Sequence, residues 1–308
     1  MTEKTVQPIR KVQSQAEIHS LKFLQWAVRY LPLWLLRGLM EVMFVLAYYG
    51  LGQLRKIGFN NLKQAYGSSK TDKECRAMTR SCIKNIGRSM VDMIYYAEHV
   101  EKFMGKVLME GEQHLVDALE YKRGVIAVTA HMGNFPLMFL ALVQKGYTVN
   151  VIIRPMRDTK FSKFMYKMCA RWGINMIQTL PRRKFVTESL AALNRNELLF
   201  ILSDEAVSEE NGVPADFFNT KVFRTPGPMV FHDKTQSPML PVFIAKEEKE
   251  MFRIYIQPPV NIEKYSSKDE TIQKNINTLA YIIESFICQY PIQWGGWLNK
   301  RWEQSQKD

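Results

Sequence analysis

The stretch GVIAVTAHMGNFPLMFLALVQK, residues 124–145, decides the fold. It opens with a short apolar run rich in β-branched residues, 124–130, which is typical of a buried strand. Gly133 permits a tight turn, and a second apolar run with helical spacing follows over 134–145. The stretch therefore predicts a strand, a turn that carries His131, and a helix.

The chain beyond it repeats this alternation. Short β-branched runs are separated by amphipathic segments, which predicts an α/β fold: a mostly parallel central sheet flanked by helices. No internal repeat or low-complexity linker interrupts it, so we interpret 101–308 as one continuous α/β domain. The further predicted strands are 149–154, 174–179, 198–203, 239–245 and 252–260, and the further predicted helices are 159–172, 183–195 and 268–290.

Residues 1–100 are predicted to form a helical, membrane-associated N-terminal extension. The stretch from Leu31 to Gly52 is apolar and rich in Trp and Tyr, but Arg37 and Glu41 interrupt it, whereas a span usually needs about 20 clean apolar residues. The two charged residues are four apart and can pair on one helix face. Basic residues flank the stretch, which favours a helix lying in, or dipping into, an anionic membrane interface. An ordinary buried helical hairpin is the alternative.

Charge limits the partners. The 308 residues include 42 Lys and Arg against 30 Asp and Glu, a formal net charge of +12. A basic surface attracts acidic carrier proteins, anionic membranes or nucleic acid. Nucleic acid is the weakest of these candidates, because the aromatic residues lie in apolar runs and not among the basic residues of a groove. No cleavable signal peptide is visible, since the first twenty residues are polar.

The four cysteines form no C-x-x-C pair, and the five histidines are scattered. We therefore expect reduced, mostly buried thiols, no metal site and no cofactor.

Polar groups follow three of the predicted strands. His131 follows the first strand, Arg154 ends the second, and Asp204 with Glu205 follows the fourth. Because ligands collect at the carboxyl ends of strands in open α/β sheets, these residues are expected to meet at one site. A neutral imidazole there can take a proton from a hydroxyl or an amine.

The turn after His131 adds a second feature. Asn134 can cap the following helix, and Pro136 suits its first turn, where a missing N–H costs little. His131 would then face a helix N-terminus, which together with Gly133 and Asn134 can hold a phosphate or a developing oxyanion.

Several ordered blocks resemble the bacterial lipid A biosynthesis (lauroyl/myristoyl) acyltransferases, a branch of the glycerophosphate and lysophospholipid acyltransferase group. HMGNFP, residues 131–136, stands where that family has H-x-G-N-W-E, a case of HX4(D/E). The resemblance covers most of the chain, and its other blocks are NNLKQAY (60–66), SCIKNIGRSMVD (81–92), IIRPM (152–156), LSDEAVSEENGVPADFFNTKVFRTPGP (202–228), LPVFIAKE (240–247) and YPIQWGGWLNKRWE (290–303).

The resemblance implies transfer of a fatty acyl chain, without a metal, from an acyl carrier protein or acyl-CoA to a hydroxyl or amine of a membrane lipid. The acceptor would be a lipid A precursor or another glycolipid or aminolipid, at the cytoplasmic face of the bacterial inner membrane.

The resemblance also implies roles for individual residues. His131 would be the general base, and Arg154 would bind a phosphate of donor or acceptor. Asp204 would orient Arg154 or its loop, with a turn or cap residue as the alternative. Phe217 and Phe218 would line an acyl pocket, with core packing as the alternative, and Arg224 in the same block is a further substrate-binding candidate.

One position departs from the family pattern. Pro136 stands where HX4(D/E) has its acid, and a proline can neither orient an imidazole nor stabilise its charged form. Two interpretations stay open. Either Asp204 or Glu205 reaches His131 instead, or the protein binds lipid or carrier without catalysis, as a scaffold would.

Overall fold

The computed structural model describes Val28, residues 30–155 and residues 160–299. Its central sheet has seven strands in the spatial order β1-β9-β8-β2-β5-β3-β4: β1 (Val107–Glu110), β2 (Val125–Thr129), β3 (Val149–Ile153), β4 (Asn175–Gln178), β5 (Leu198–Leu202), β8 (Met239–Lys246) and β9 (Phe252–Ile256). The pair β8–β9 is antiparallel, and the other neighbouring pairs of this sheet are parallel. A separate antiparallel hairpin is formed by β6 (Val213–Phe217) and β7 (Thr220–Arg224).

Helices precede the sheet and then cover it. The N-terminal helices are α1 (Leu33–Gly50), α2 (Gly52–Tyr66), α3 (Asp72–Glu98) and α4 (Val100–Met104). The helices between and after the strands are α5 (Glu112–Glu120), α6 (Phe135–Gln144), α7 (Lys160–Arg171), α8 (Arg182–Asn194), α9 (Gly227–Thr235) and α10 (Lys268–Gln289).

The sheet separates two apolar clusters. Ala127 belongs to one cluster and its neighbours Ile126 and Val128 to the other, because successive side chains of a strand point to opposite faces. The first cluster includes side chains of α1, α5, α6 and α7, and the second includes those of α8, α9, α10 and the β6–β7 hairpin. All five residues of β2 are buried, as a central strand covered on both faces requires.

The predicted fold class is confirmed. Its differences from the prediction lie at the margins. The edge strand β1 and the β6–β7 hairpin were not predicted, and the predicted strand 252–260 ends at Ile256. Pro258 and Pro259 follow, and proline cannot supply a ladder N–H. The start of the predicted helix 159–172, residues 1–27 of the N-terminal extension and the last residues of the terminal block lie outside the described residues.

Helix α1 packs on α3 through a buried ionic cluster. The Nε of Arg37 donates to the Oδ1 of Asp92 at 2.6 Å, and the Nζ of Lys246 donates to Oδ2 of the same carboxylate at 3.0 Å. Glu250 pairs with both cations. The predicted pair between Arg37 and Glu41 is therefore wrong. Glu41 pairs with Lys84 of α3 instead, because α1 turns its charged residues toward its neighbour.

Much of the remaining surface of α1 is apolar and exposed. Trp34 is 73% exposed and Leu46 67%, and Leu39, Val42, Met43 and Tyr49 are exposed with them. Among the described residues, α1 is the one helix that is long and apolar enough to cross a membrane. Monomeric soluble proteins rarely leave such a contiguous apolar surface open, so α1 is a candidate membrane-contacting element.

The thiols are placed as expected. Cys75, Cys82 and Cys169 are buried, Cys288 is exposed, and all four are free.

Candidate active site

The turn after β2 places His131 at the carboxyl edge of the sheet. Gly133 has φ +56°, and a Cβ at this position would lie 2.2 Å from the carbonyl oxygen of Ile244, so only glycine fits. The N–H of Gly133 donates to the carbonyl of Gln293 at 2.9 Å. That amide holds the turn together and is not available to a substrate in this conformation.

Asp204 lies directly beside His131. The Nδ1 of His131 and the Oδ1 of Asp204 are 2.9 Å apart. The parallel register of the two strands causes this approach. Thr129 pairs with Leu202, and each of the two polar residues lies two positions further along its own strand end. The predicted convergence at the carboxyl edge therefore holds for this pair.

The two side chains differ sharply in exposure. The His131 side chain is 40% exposed, whereas that of Asp204 is 2% exposed. Burial alone would raise the pKa of Asp204. The nearby His131 and the hydrogen bonds from His131 and Trp294 outweigh it and hold the pKa below its usual value. Asp204 is therefore a buried carboxylate.

This geometry assigns the ring tautomer of neutral His131. An ionised carboxylate only accepts hydrogen bonds, so Nδ1 must carry the proton that it donates to Asp204. The lone pair of a neutral ring then lies on Nε2. A neutral imidazole with its partner on the buried side and its basic nitrogen on the other can act as a general base.

Asn134 does not cap α6 with its side chain, contrary to the prediction. It occupies the position before the helix, but its side-chain amide donates to the carbonyl of Ser89 on α3 at 2.9 Å. Because Asn134 is also buried, it ties the turn to α3. Pro136 is the second residue of α6, within the first turn as predicted.

Arg154 lies just beyond β3 and is exposed. Since β3 neighbours β5, two strand spacings of about 5 Å each separate its edge position from that of His131. Thr179, which follows β4, donates its N–H to Ile153 at 2.9 Å. This bond keeps the next loop beside Arg154, and that loop leads into three exposed cations, Arg182, Arg183 and Lys184.

The other predicted binding residues lie inside the protein. Phe217 and Phe218 are 2% and 3% exposed and pack against Trp294, as core residues do. The guanidinium of Arg224 lies 3.8 Å from the ring centre of Phe217 and donates to the carbonyl of Ser203 at 2.9 Å. Contact of these three residues with a substrate stays a prediction.

Burial lowers the pKa of Arg224 to about 10, against the opposing effects of Asp204 and then Glu284. The guanidinium still carries its charge at neutral pH. Its positive charge therefore stabilises the buried carboxylate of Asp204 electrostatically.

The sequence profile of the family described as bacterial lipid A biosynthesis acyltransferase matches residues 10–304. The chain belongs to this family. No curated protein matches the acyltransferase chain. Among solved structures, the 1-acyl-sn-glycerophosphate (LPA) acyltransferase PlsC from Thermotoga maritima matches with 16% sequence identity and a TM-score of 0.37, over 84% of this chain and 100% of that chain.

Because the chain belongs to this family, Pro136 is a departure from the family motif HX4(D/E). The acyltransferase lacks the acid of HX4(D/E), yet its histidine has a carboxylate partner at hydrogen-bond distance. Sequence left Asp204 and Glu205 as equal candidates, and the structure brings the Asp204 carboxylate to Nδ1. Glu205 is half-buried in the same loop.

Trp294 is the site residue that sequence reasoning missed. Its indole N–H donates to the Oδ2 of Asp204 at 2.8 Å. The terminal block YPIQWGGW was recognised as part of the resemblance, but no pattern within it indicated that it returns to His131. Among the described residues of the acyltransferase, no group of three or more His, Cys, Asp and Glu could hold a metal ion.

Proposed function

We propose that this acyltransferase moves a fatty acyl chain from a thioester donor to a hydroxyl or amine of a membrane lipid, with His131 as the general base. The single observation that carries the proposal is the 2.9 Å contact between Nδ1 of His131 and the buried carboxylate of Asp204. It fixes the tautomer in which Nε2 can accept a proton.

The reaction balances without a metal. The Nε2 atom takes the proton of the acceptor hydroxyl or amine as its heteroatom attacks the thioester carbonyl. The tetrahedral intermediate collapses, the carbon–sulfur bond breaks, and the imidazolium returns the proton to the leaving thiolate. Asp204 stabilises the imidazolium between these two steps, because a carboxylate beside a charged ring lowers its free energy.

The donor is proposed to be an acyl carrier protein or acyl-CoA, both of which carry a phosphate on the arm that bears the thioester. Arg154 is exposed at about 10 Å along the sheet edge from His131, and the cations that begin α8 lie one strand further. Three basic residues in the first turn of a helix oppose its dipole. An anionic partner would relieve that repulsion, which supports a donor bound along this edge.

The acceptor is proposed to be a lipid A precursor or a related glycolipid or aminolipid at the cytoplasmic face of a bacterial inner membrane. The exposed apolar side of α1 supports this proposal, since burying a large apolar side chain stabilises contact by about 1.5–3 kcal/mol. Arg37 points inward to Asp92, which leaves that side free of its charge. These features fit a helix that lies in the lipid interface.

The proposal is tested with purified protein, an acyl carrier thioester or acyl-CoA, and vesicles of bacterial lipid extract. Release of free thiol and the mass of the acylated lipid are measured together. Wild type should release thiol and form product, while His131→Ala should do neither above background. Equal release by both proteins would refute the role of His131.

A non-catalytic lipid- or carrier-binding protein was the alternative suggested by Pro136. Asp204 now provides the partner whose absence motivated it. Binding of donor and vesicles without any thiol release in the same assay would favour that alternative.

A further inference from the structure

The carboxylate of Asp204 is held at both oxygens by different donors. Oδ1 receives the Nδ1–H of His131 at 2.9 Å, and Oδ2 receives the indole N–H of Trp294 at 2.8 Å. The Trp294 side chain is buried, at 2% exposure, so this second bond is formed away from bulk water. Side-chain donors on both oxygens therefore fix the carboxylate plane, and the backbone N–H of His131 adds a further hydrogen bond to Asp204.

An indole N–H suits this position chemically. It donates and cannot accept, so it favours the form of Asp204 that has a free acceptor oxygen. A hydroxyl or an amide at the same place could reverse its role and let Asp204 rotate. With Oδ2 occupied, Oδ1 stays aimed at His131, and Nε2 stays the basic nitrogen.

Trp294 is itself locked to the histidine turn. Met132 and Trp294 form an isolated antiparallel bridge, and the N–H of Gly295 donates to the carbonyl of His131 at 3.3 Å. The side-chain amide of Gln293 bonds the backbone N–H and carbonyl of Lys246 at 2.9 and 2.8 Å. The terminal segment thus spans the turn after β2 and the end of β8.

Ring packing removes the remaining freedom. The Trp294 ring lies 4.7 Å from that of Trp297 and 5.7 Å from that of Phe217, measured between centroids. A Cβ at Gly296 would lie 2.1 Å from the Trp294 ring, so the backbone approaches the indole as closely as only glycine allows.

We propose that Trp294 is a positioning residue of the His131–Asp204 pair: its indole N–H holds the Asp204 carboxylate so that Nδ1 of His131 keeps its proton. The inference deepens the proposed acyl transfer and rests on it for its kinetic consequence. Its structural part, the tautomer of His131, can be tested whether or not acyl transfer occurs.

The test compares Trp294→Phe with Trp172→Phe. Both changes replace a buried indole by a phenyl ring, since Trp172 is 5% exposed. Trp172 precedes β4, so it lies at the amino edge of the parallel strands, whereas His131 and Asp204 lie at their carboxyl edge. Only the first loses a bond to Asp204. Loss of a hydrogen bond to a charged group should lower kcat about 10- to 100-fold with little change in KM in Trp294→Phe. The control should stay within about threefold.

A spectroscopic readout separates this inference from the reaction. In protein labelled with nitrogen-isotope histidine, the ring resonances of His131 should report a protonated Nδ1 and an unprotonated Nε2 in wild type and in Trp172→Phe, and a mixture of tautomers in Trp294→Phe. An unchanged tautomer in Trp294→Phe overturns the proposal, even if no acyl transfer is found for wild type. Such a wild type without thiol release would instead refute the proposed function.

A double-mutant cycle guards against a general loss of folding. If Trp294 acts through Asp204, Trp294→Phe should add less than about threefold to the loss already caused by Asp204→Asn. Independent, multiplicative losses would mean that the indole acts by packing alone, and the proposal would fail.

Discussion

His131 and Asp204 are separated by 73 positions in the chain, and their side chains meet at 2.9 Å. Two neighbouring parallel strands end at the same level and deliver one residue each to the pair. A carboxylate that reaches the histidine from another strand can replace one that follows it along a helix, because the imidazole responds to position and charge and not to the route of the chain.

Asp204→Asn should lower turnover on the order of a hundredfold or more, because the amide no longer favours the Nδ1–H tautomer and cannot stabilise the imidazolium. Glu205→Gln is the matched control and should change turnover less than about threefold. Initial rates of thiol release measure both. If Glu205→Gln proves the more damaging change, Glu205 and not Asp204 is the essential carboxylate.

Pro136→Glu should not speed wild type, since Nδ1 of His131 is already occupied by Asp204. In the Asp204→Asn background the same change should recover part of the lost rate. A glutamate in the first turn of α6 is favoured by the helix dipole and occupies the position of the family acid. Pro136→Ala in that background is the control. A rise with alanine as large as that with glutamate would contradict the argument.

Arg154→Ala should raise the donor KM about tenfold, as expected for loss of a charge-assisted contact to phosphate, and leave kcat little changed. Lys73→Ala is the control, because this exposed cation lies far from the site. Ser89 of α3 contacts the turn of His131 through Asn134, and Lys73 lies 16 residues before Ser89, about 24 Å along the helix. The rate at low donor concentration should also fall with added salt in wild type. A KM unaffected by Arg154→Ala would exclude it as a donor contact.

Leu46→Glu should weaken binding to anionic vesicles about tenfold or more, because it places a charge on the exposed apolar side of α1. Tyr281→Glu on α10 is the matched control: Tyr281 is 68% exposed but lies on a helix that packs in the other cluster. Cosedimentation with vesicles measures both. Equal losses would show that charge alone, rather than this side of α1, governs binding.

Thiol reactivity should separate Cys288 from the other three cysteines as pH rises. Burial raises the pKa of Cys82 to about 12 and that of Cys169 to about 11, and the thiolate is the reactive form. Below those values both thiols stay protonated in the native state. Burial also raises the pKa of Cys288, so from pH 7 to 9 we expect Cys288 to react first because it is exposed, whereas the other three thiols are buried. Ellman titration should count one fast thiol, absent in Cys288→Ser, and four after denaturation.

The sheet could be predicted because strands buried on both faces have a strong signature. The runs that became β2, β3 and β5 are short, apolar and separated by helical segments of ordinary length. The edge strand β1 carries no such signal, since VLME is four residues long and only partly buried. The pairing of β6 with β7 depends on contacts with α10 that no local pattern reveals.

The sequence predicts that the site lies at the carboxyl edge of the sheet, but it does not predict which side chains contact each other there. Sequence placed His131, Arg154 and Asp204 at the carboxyl ends of three predicted strands, but it did not predict which of these strands are neighbours. Asp204 and Glu205 lie beyond β5, where the regular alternation of strand side chains ends, so sequence could not predict which of the two points inward. Trp294 reaches the pair from a segment 90 residues further along the chain than Asp204, and only the folded structure shows that return.

The ionic cluster that packs α1 on α3 also links α1 to the turn that carries His131. Asp92 joins Arg37 of α1 to Lys246 at the end of β8. The backbone of Lys246 is bonded by Gln293, whose carbonyl accepts the N–H of Gly133 in the turn of His131. With α1 at the bilayer surface as proposed, these contacts fix the distance between the Nε2 atom of His131 and the surface of the lipid. Acceptors would then be sorted by how far their reacting group stands out of the bilayer, before any pocket measures their shape.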